Sequence, residues 1–384
     1  MTYRELLKLY KTGQLDEDTR RKVEEDVEKQ EAISEYLFEE DEIPTLEEAL
    51  PMDGEPEGED RFTAQIQKTI RRTFIKLGVT VGAVVLVAVL AVLFVLPKAV
   101  DHLYYDPTES LEGVTPDGDW VQPRIYTDLA VWTELFVPSD YRTNAVVEPL
   151  GYGKYDITIS NTWGGNHASN AVRGMLTRNR MTIYDPGAFN RDRADFRVSE
   201  ETEEDEYWRD LSFQVAEKDM DDDTFYTAYF TLSEPTDYET LEAWCMVNHL
   251  WNRLWFKVDT GDGPDVWGGL GFCAGSVDGS RLLRYNEEKY PELGSGILLG
   301  WEGDPERAKT HFLNLLAYTK DNPEFARAMG TMNEQMEAIL DQTAEHVEKN
   351  GLKLRGFSVV GKKADILAVK DDPMVCCLMT VPAY

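Results

Sequence analysis

One stretch constrains this chain more than any other. Residues 77–96 read LGVTVGAVVLVAVLAVLFVL, with no charged side chain and a single hydroxyl, Thr80. As an α-helix rising 1.5 Å per residue, it reaches about 30 Å, the thickness of a bilayer's hydrocarbon core. Lipid offers no hydrogen-bond partner to a backbone, and a helix satisfies its own. Pro97 ends the run and Lys98 reopens polar sequence. A secretory leader has a shorter apolar core close to the N-terminus and a small-residue cleavage site. Here 76 residues come first and the run closes on Phe94-Val-Leu-Pro97. The core helix of a globular domain shows a polar face, and this run has none. The sequence therefore predicts one transmembrane helix.

Flanking charge sets the expected orientation. Lys68, Arg71, Arg72 and Lys76 crowd the N-terminal side, and only Lys98 stands close on the other. Excess Lys and Arg marks the cytoplasmic side, which places residues 1–76 inside and 97–384 outside. Tyr104 and Tyr105 are then expected in the outer membrane interface. The net charge is −32. Residues 1–76 carry 12 basic and 21 acidic side chains, so −9 lies before the run and −23 after it. That surface excludes nucleic acid as a partner and favours cationic ones. All nine Trp lie beyond the run, enough aromatic bulk for a large core there.

The four Cys, at 245, 273, 376 and 377, fall on the expected outer side, where disulfides persist. Neighbours in a strand point to opposite faces, so at most one of Cys376 and Cys377 is expected to bond to Cys245 or Cys273. Small buried apolar side chains are the other reading. No spacing suggests a zinc site or another cofactor.

Residues 2–10 read as a short helix with Leu6, Leu7, Leu9 and Tyr10 apolar. Thr12-Gly-Gln turns the chain, and Leu15 precedes Asp16, a good N-cap. A second helix follows to about Phe38, with Val23, Val27, Ile33 and Leu37 as spaced apolar positions. Two such helices bury little alone and would complete a core on a partner. Residues 41–60 are acidic with three Pro and read as a linker. Phe62 to Lys76 reads as a basic helix entering the membrane. Gly78 and Gly82 make a G-x-x-x-G step that lets a second membrane helix, of this chain or another protein, approach closely.

Several of these segments carry a resemblance. The first helix, its Gly turn, then Gln14-Leu-Asp-Glu-Asp-Thr19 and the charged second helix are similar to the sigma-binding domain of anti-sigma factors. Zinc-containing members of that group hold a His-x3-Cys-x2-Cys set on the second helix. Asp26, Gln30 and Ile33 stand there in this chain, which implies a version without zinc. The stretch Phe62-Thr-Ala-Gln-Ile-Gln-Lys-Thr-Ile-Arg-Arg-Thr-Phe-Ile-Lys76, the apolar run and Asp101-His-Leu-Tyr-Tyr-Asp-Pro107 resemble the sigma factor regulator family of Gram-positive bacteria. Its C-terminal domain is similar at Pro235-Thr-Asp237, Trp255-Phe-Lys-Val-Asp-Thr260 and Leu354-Arg-Gly-Phe-Ser-Val-Val-Gly361. The resemblance implies a membrane-bound anti-sigma factor. Leu6, Leu7, Tyr10, Leu15, Val23, Val27, Ile33 and Leu37 would contact an extracytoplasmic-function sigma factor, and the outer region would sense an envelope signal.

Beyond the membrane the expected fold is α+β, a large mixed region after a small helical segment and one membrane helix. Residues 97–210 are expected to be β-rich, with strands over Trp120–Val137 and Tyr152–Ser160. The acidic run Glu200–Glu206 reads as a loop or boundary. Residues 211–384 alternate strands and helices. The helices include one capped by Asp237, one opened by Asp304-Pro305 and one closed by Asn350-Gly351. Enzyme signatures are missing. Asp219-Met-Asp-Asp-Asp-Thr224 lacks the Gly and Glu of an EF-hand loop, no P-loop or nucleophile elbow occurs, and His167 stands without a ligand-like neighbour. The expected protein is not an enzyme. A surface-anchored extracellular binding protein with no sigma partner is the alternative.

Overall fold

The computed structural model describes residues 10, 17–38, 58–111, 122–138, 141–142, 144–160, 171–185, 189, 202–261, 269–273, 286, 288–293 and 304–383. They fall into two compact units, Met1–Val85 and Leu86–Tyr384.

In the first unit, helix α1 spans Glu17–Phe38 and helix α2 begins at Gly58 and runs to Leu90. Arg20 pairs with Glu24 one turn on, at 3.1 Å. The Glu24 carboxylate also accepts a hydrogen bond from Tyr10, at 3.2 Å. From Lys68 to Asp101 the helix is long and apolar enough to cross a membrane. No side chain in its most apolar window is buried, as expected of a surface whose solvent is lipid.

That helix is not regular throughout. It widens to a π-turn at Ala91–Val95 before α3, Leu96–Asp101. Pro97 accounts for the break, because it has no N–H to donate and its ring crowds the preceding turn.

After a two-stranded pairing of β1 (Ser110–Leu111) with β2 (Gln122–Pro123), the chain enters α4, Arg124–Phe136. Strands had been expected over Trp120–Val137, and the structure overturns that. Ile125, Leu129, Trp132 and Phe136 recur at helical spacing, and Pro123 stands just ahead of the first turn. The alternation is misleading because α4 is buried on every side, its polar Thr127, Asp128, Thr133 and Glu134 included, so no solvent-facing stripe marks the helical period. Each fully buried Leu, Ile or Phe contributes roughly 1.5–3 kcal/mol.

Next comes an antiparallel meander of β3 (Asn144–Pro149), β4 (Lys154–Ser160), β5 (Val172–Thr177) and β6 (Arg180–Ile183). In β4, Tyr155, Ile157 and Ile159 point to the core while the residues between them are partly open, the alternation seen in the sequence.

Helix α5 covers Thr202–Asp219. It takes in residues 202–206 of the acidic run expected as a loop or boundary, Glu200 and Glu201 lying outside the described residues, and residue 210 lies inside it. Beyond it are β7 (Phe225–Asp237), α6 (Tyr238–Val247), β8 (Trp255–Val258) and β9 (Gly271–Cys273). Then come α7 (Pro305–Asp321), α8 (Glu324–Ala328), α9 (Glu334–Asn350), β10 (Lys353–Lys362), α10 (Lys363–Leu367) and β11 (Val375–Pro382).

The second sheet has the order β11-β7-β10-β8-β9, every neighbour antiparallel. Among the described residues helix and sheet are thus mixed without βαβ crossovers, an α+β arrangement. On one face Phe230 stacks on Phe357, ring centroids 4.7 Å apart. Phe256 and Phe272 continue that layer toward Phe312 of α7. On the other face Tyr229, Trp255, Cys273 and Val381 meet Ala130 of α4, and α5 packs beside β11. The main core runs from Tyr105 to Leu378 and draws on both sheets.

Candidate functional site

A domain that follows a membrane-length helix is coupled to it only through the residues that join the two. The residues that do so are clear. The turn between β3 and β4 is Gly151-Tyr152-Gly153, and all three residues have positive φ, at 79°, 58° and 69°. The two glycines adopt that conformation at little cost, whereas Tyr152 bears some strain. The strain places the Tyr152 hydroxyl against the π-turn, where it donates to the Val92 carbonyl at 2.7 Å. A π-turn followed by proline frees carbonyls from the helical ladder, and Tyr152 satisfies one of them.

Further bonds fix the same joint. Gly153 N–H donates to the Asp101 carboxylate at 2.5 Å, at the end of α3. Tyr105 N–H donates to Asn179 Oδ1 at 3.0 Å, in the β5–β6 turn. The Arg178 guanidinium lies over the Tyr104 ring, 5.6 Å from its centroid. A Cβ added to Gly153 would lie 2.9 Å from the Tyr104 ring, so glycine is needed for that close approach. Leu103, Leu150 and Tyr152 stay exposed beside the helix end.

Two buried carboxylates anchor α4 behind this joint. Asp128 accepts from Tyr105 at 2.7 Å and Tyr318 at 2.8 Å, and pairs with Arg124 Nε at 3.2 Å. Burial pushes its pKa up to about 6, against the opposing pull of Arg124 and the two tyrosine hydroxyls. Tyr105 was expected in the membrane interface. It is instead buried, because its hydroxyl serves Asp128. One and a half turns on, Glu134 Oε1 meets His311 Nε2 at 3.0 Å and accepts Cys273 N–H at 3.1 Å. His311 Nδ1 lies 2.8 Å from the Glu292 carbonyl. Burial alone lowers a histidine's pKa, but here Glu134 and the Glu292 carbonyl outweigh it and raise His311. Both carboxylates are closed off from solvent, so they hold α4 in place and offer nothing to a substrate.

A cavity of about 350 Å³ opens beneath α5. Ser212, Val215 and Ala216 form its roof, Tyr229 and Thr231 its floor, and Cys377 with Met379 one wall. The size and the apolar lining with a few hydroxyls suit a small ligand. Among the described residues, no group of three or more His, Cys, Asp and Glu side chains could hold a metal ion.

The residues read from sequence as sigma-binding are placed unevenly. Leu6, Leu7 and Leu15 lie outside the described residues, as does His167. Val27, Ile33 and Leu37 fall on α1, with their side chains outside the described set. Tyr10 is half-buried and tied to Glu24; Val23 is only 3% exposed, so it packs within the chain. Gly78 and Gly82 meet nothing within 4 Å, leaving that stripe of the membrane helix open. Sequence reading missed Tyr152. Its one signal is an aromatic residue between two glycines at a hairpin tip. Comparison with known proteins found no matching family model, no matching curated protein and no matching solved structure.

Proposed function

We propose that the chain is a single-pass membrane anti-sigma factor. Its N-terminal segment holds an extracytoplasmic-function sigma factor at the inner face, and the outer domain governs release in response to an envelope signal. The observation that carries this reading is the joint at Tyr152 and Val92. A domain that is merely tethered needs no hydrogen bond to its membrane helix. This one grips the helix through Tyr152, Gly153 and Asp101, so a rearrangement outside moves the helix itself. The basic cluster Lys68, Arg71, Arg72 and Lys76, all exposed, supports an inside N-terminus. Exposed Leu103, Leu150 and Tyr152 suit an outer surface seated in the lipid interface. A signal acts only through unequal affinity for two states of the outer domain.

The test is capture. The full-length protein in detergent is offered each extracytoplasmic-function sigma factor of its source bacterium in turn. The reading expects stable binding to one, lost on Leu7→Asp with Val27→Asp. Binding to none by a folded, intact protein sinks it. The cavity beneath α5 favours a second reading, a membrane-anchored extracellular ligand-binding protein, and that failure would leave it standing.

A further inference from the structure

Cys376 and Cys377 are neighbours in β11, where alternation should point them apart. It does not. Val375 pairs with Leu232 and Cys377 with Thr231, so Cys376 is an extra residue in the register. This β-bulge re-aims the side chains, and the two Sγ atoms come within 3.3 Å. That is a thiol–thiol hydrogen bond, longer than the S–S bond of a disulfide. Cys377 also forms part of the wall of the cavity beneath α5, which gives its sulfur a route to small molecules.

We propose that Cys376 and Cys377 are a redox-active vicinal dithiol, oxidised through this cavity by low-molecular-weight disulfides. The Cys377 thiolate attacks one sulfur of the oxidant, whose S–S bond breaks and releases one thiol. The Cys376 thiolate then attacks Cys377 Sγ and releases the second. The protein gives up two electrons and two protons, and the oxidant leaves as two thiols. Adjacent Cα atoms lie about 3.8 Å apart across a trans peptide, closer than ordinary disulfides require. The eight-membered ring is therefore strained, and strained disulfides belong to the easily reduced, regulatory class. The other two cysteines do not compete. Cys245 is sealed in the core, where burial and then Glu242 push its thiol's pKa well up. Cys273 stands on β9, with β8, β10 and β7 between it and β11. The chemistry is independent of the sigma-binding reading; only its place outside the cell, where oxidants accumulate, rests on that reading.

The experiment uses reduced full-length protein in detergent, treated with oxidised glutathione, blocked with an alkylating agent and digested for mass spectrometry. The peptide containing both cysteines should emerge two hydrogens lighter and unalkylated, and should revert on mild reduction. Cys376→Ser should retain glutathione on Cys377, since the resolving thiol is gone. No reaction, a lasting glutathione adduct on the native pair, or a bond from either sulfur to Cys245 or Cys273 would overturn the proposal. None of these results bears on capture of a sigma factor.

Discussion

Asp128→Asn should flatten the acid side of this protein's stability profile. In the folded protein Asp128 has its pKa raised from 3.8 to about 6, chiefly by burial. The folded state therefore binds more protons than the unfolded state between those values. A raised carboxylate pKa makes protonation stabilising: the contribution is complete below pH 3.8 and is lost as pH climbs through 6. Two pKa units at 1.36 kcal/mol each make that loss about 3 kcal/mol. Asn has the shape of a protonated Asp and does not titrate. Its constant costs, such as a weaker hold on Arg124, cancel when the difference between the two proteins is followed across pH. Urea unfolding of the full-length protein at pH 4 to 7 gives that difference. Over that range we expect it to shift by about 2.5 kcal/mol, most of the full change, in the direction that favours the variant at higher pH. His311 titrates in both proteins. Its raised pKa adds stability that is full below 6.5 and lost as pH rises through its folded value, and this also cancels. Parallel profiles would mean that Asp128 stays ionised throughout and that its tyrosine and arginine partners outweigh burial.

Three further outcomes are expected. Tyr152→Phe removes the bond to Val92 and should cost about 1 kcal/mol, with faster amide exchange in the Gly151–Lys154 turn and an unchanged outer core; unchanged exchange would mean that the joint does not hold the helix. Gly271→Ala drives a Cβ into the Phe256 carbonyl and the Trp255 ring. Both neighbours are buried, so urea unfolding followed by Trp fluorescence should show a loss of about 3 kcal/mol or more. Replacing Lys68, Arg71, Arg72 and Lys76 with Glu should disturb insertion, so that labelling from outside the cell reaches a cysteine introduced into the N-terminal segment by Thr2→Cys; unchanged labelling would separate orientation from these charges.

What the sequence disclosed follows from how local each signal is. Asp304-Pro305 opens α7 as expected, with Asp304 Oδ1 accepting from the N–H groups of Glu306 and Arg307. Gly351, at φ 81°, closes α9. The apolar run becomes a membrane-length helix because composition alone decides it. Helix α4 was obscured because it is buried all round, which erases the polar face that gives a helix its period. Helix α5 was hidden under an acidic run that reads as solvated sequence. The cysteine contact needed a bulge, and the Tyr152 bond needed a π-turn 60 residues away in the chain. Neither is written in local spacing.

The proposed hold on a sigma factor at the inner face of the membrane has a direct readout in cells. The most direct measurement is transcription from that sigma factor's own promoter in cells lacking this chain, and in cells carrying Leu7→Asp with Val27→Asp. Transcription should rise in both and return to the resting level with the native chain. Unchanged transcription in both, with the sigma factor present and competent, would contradict it.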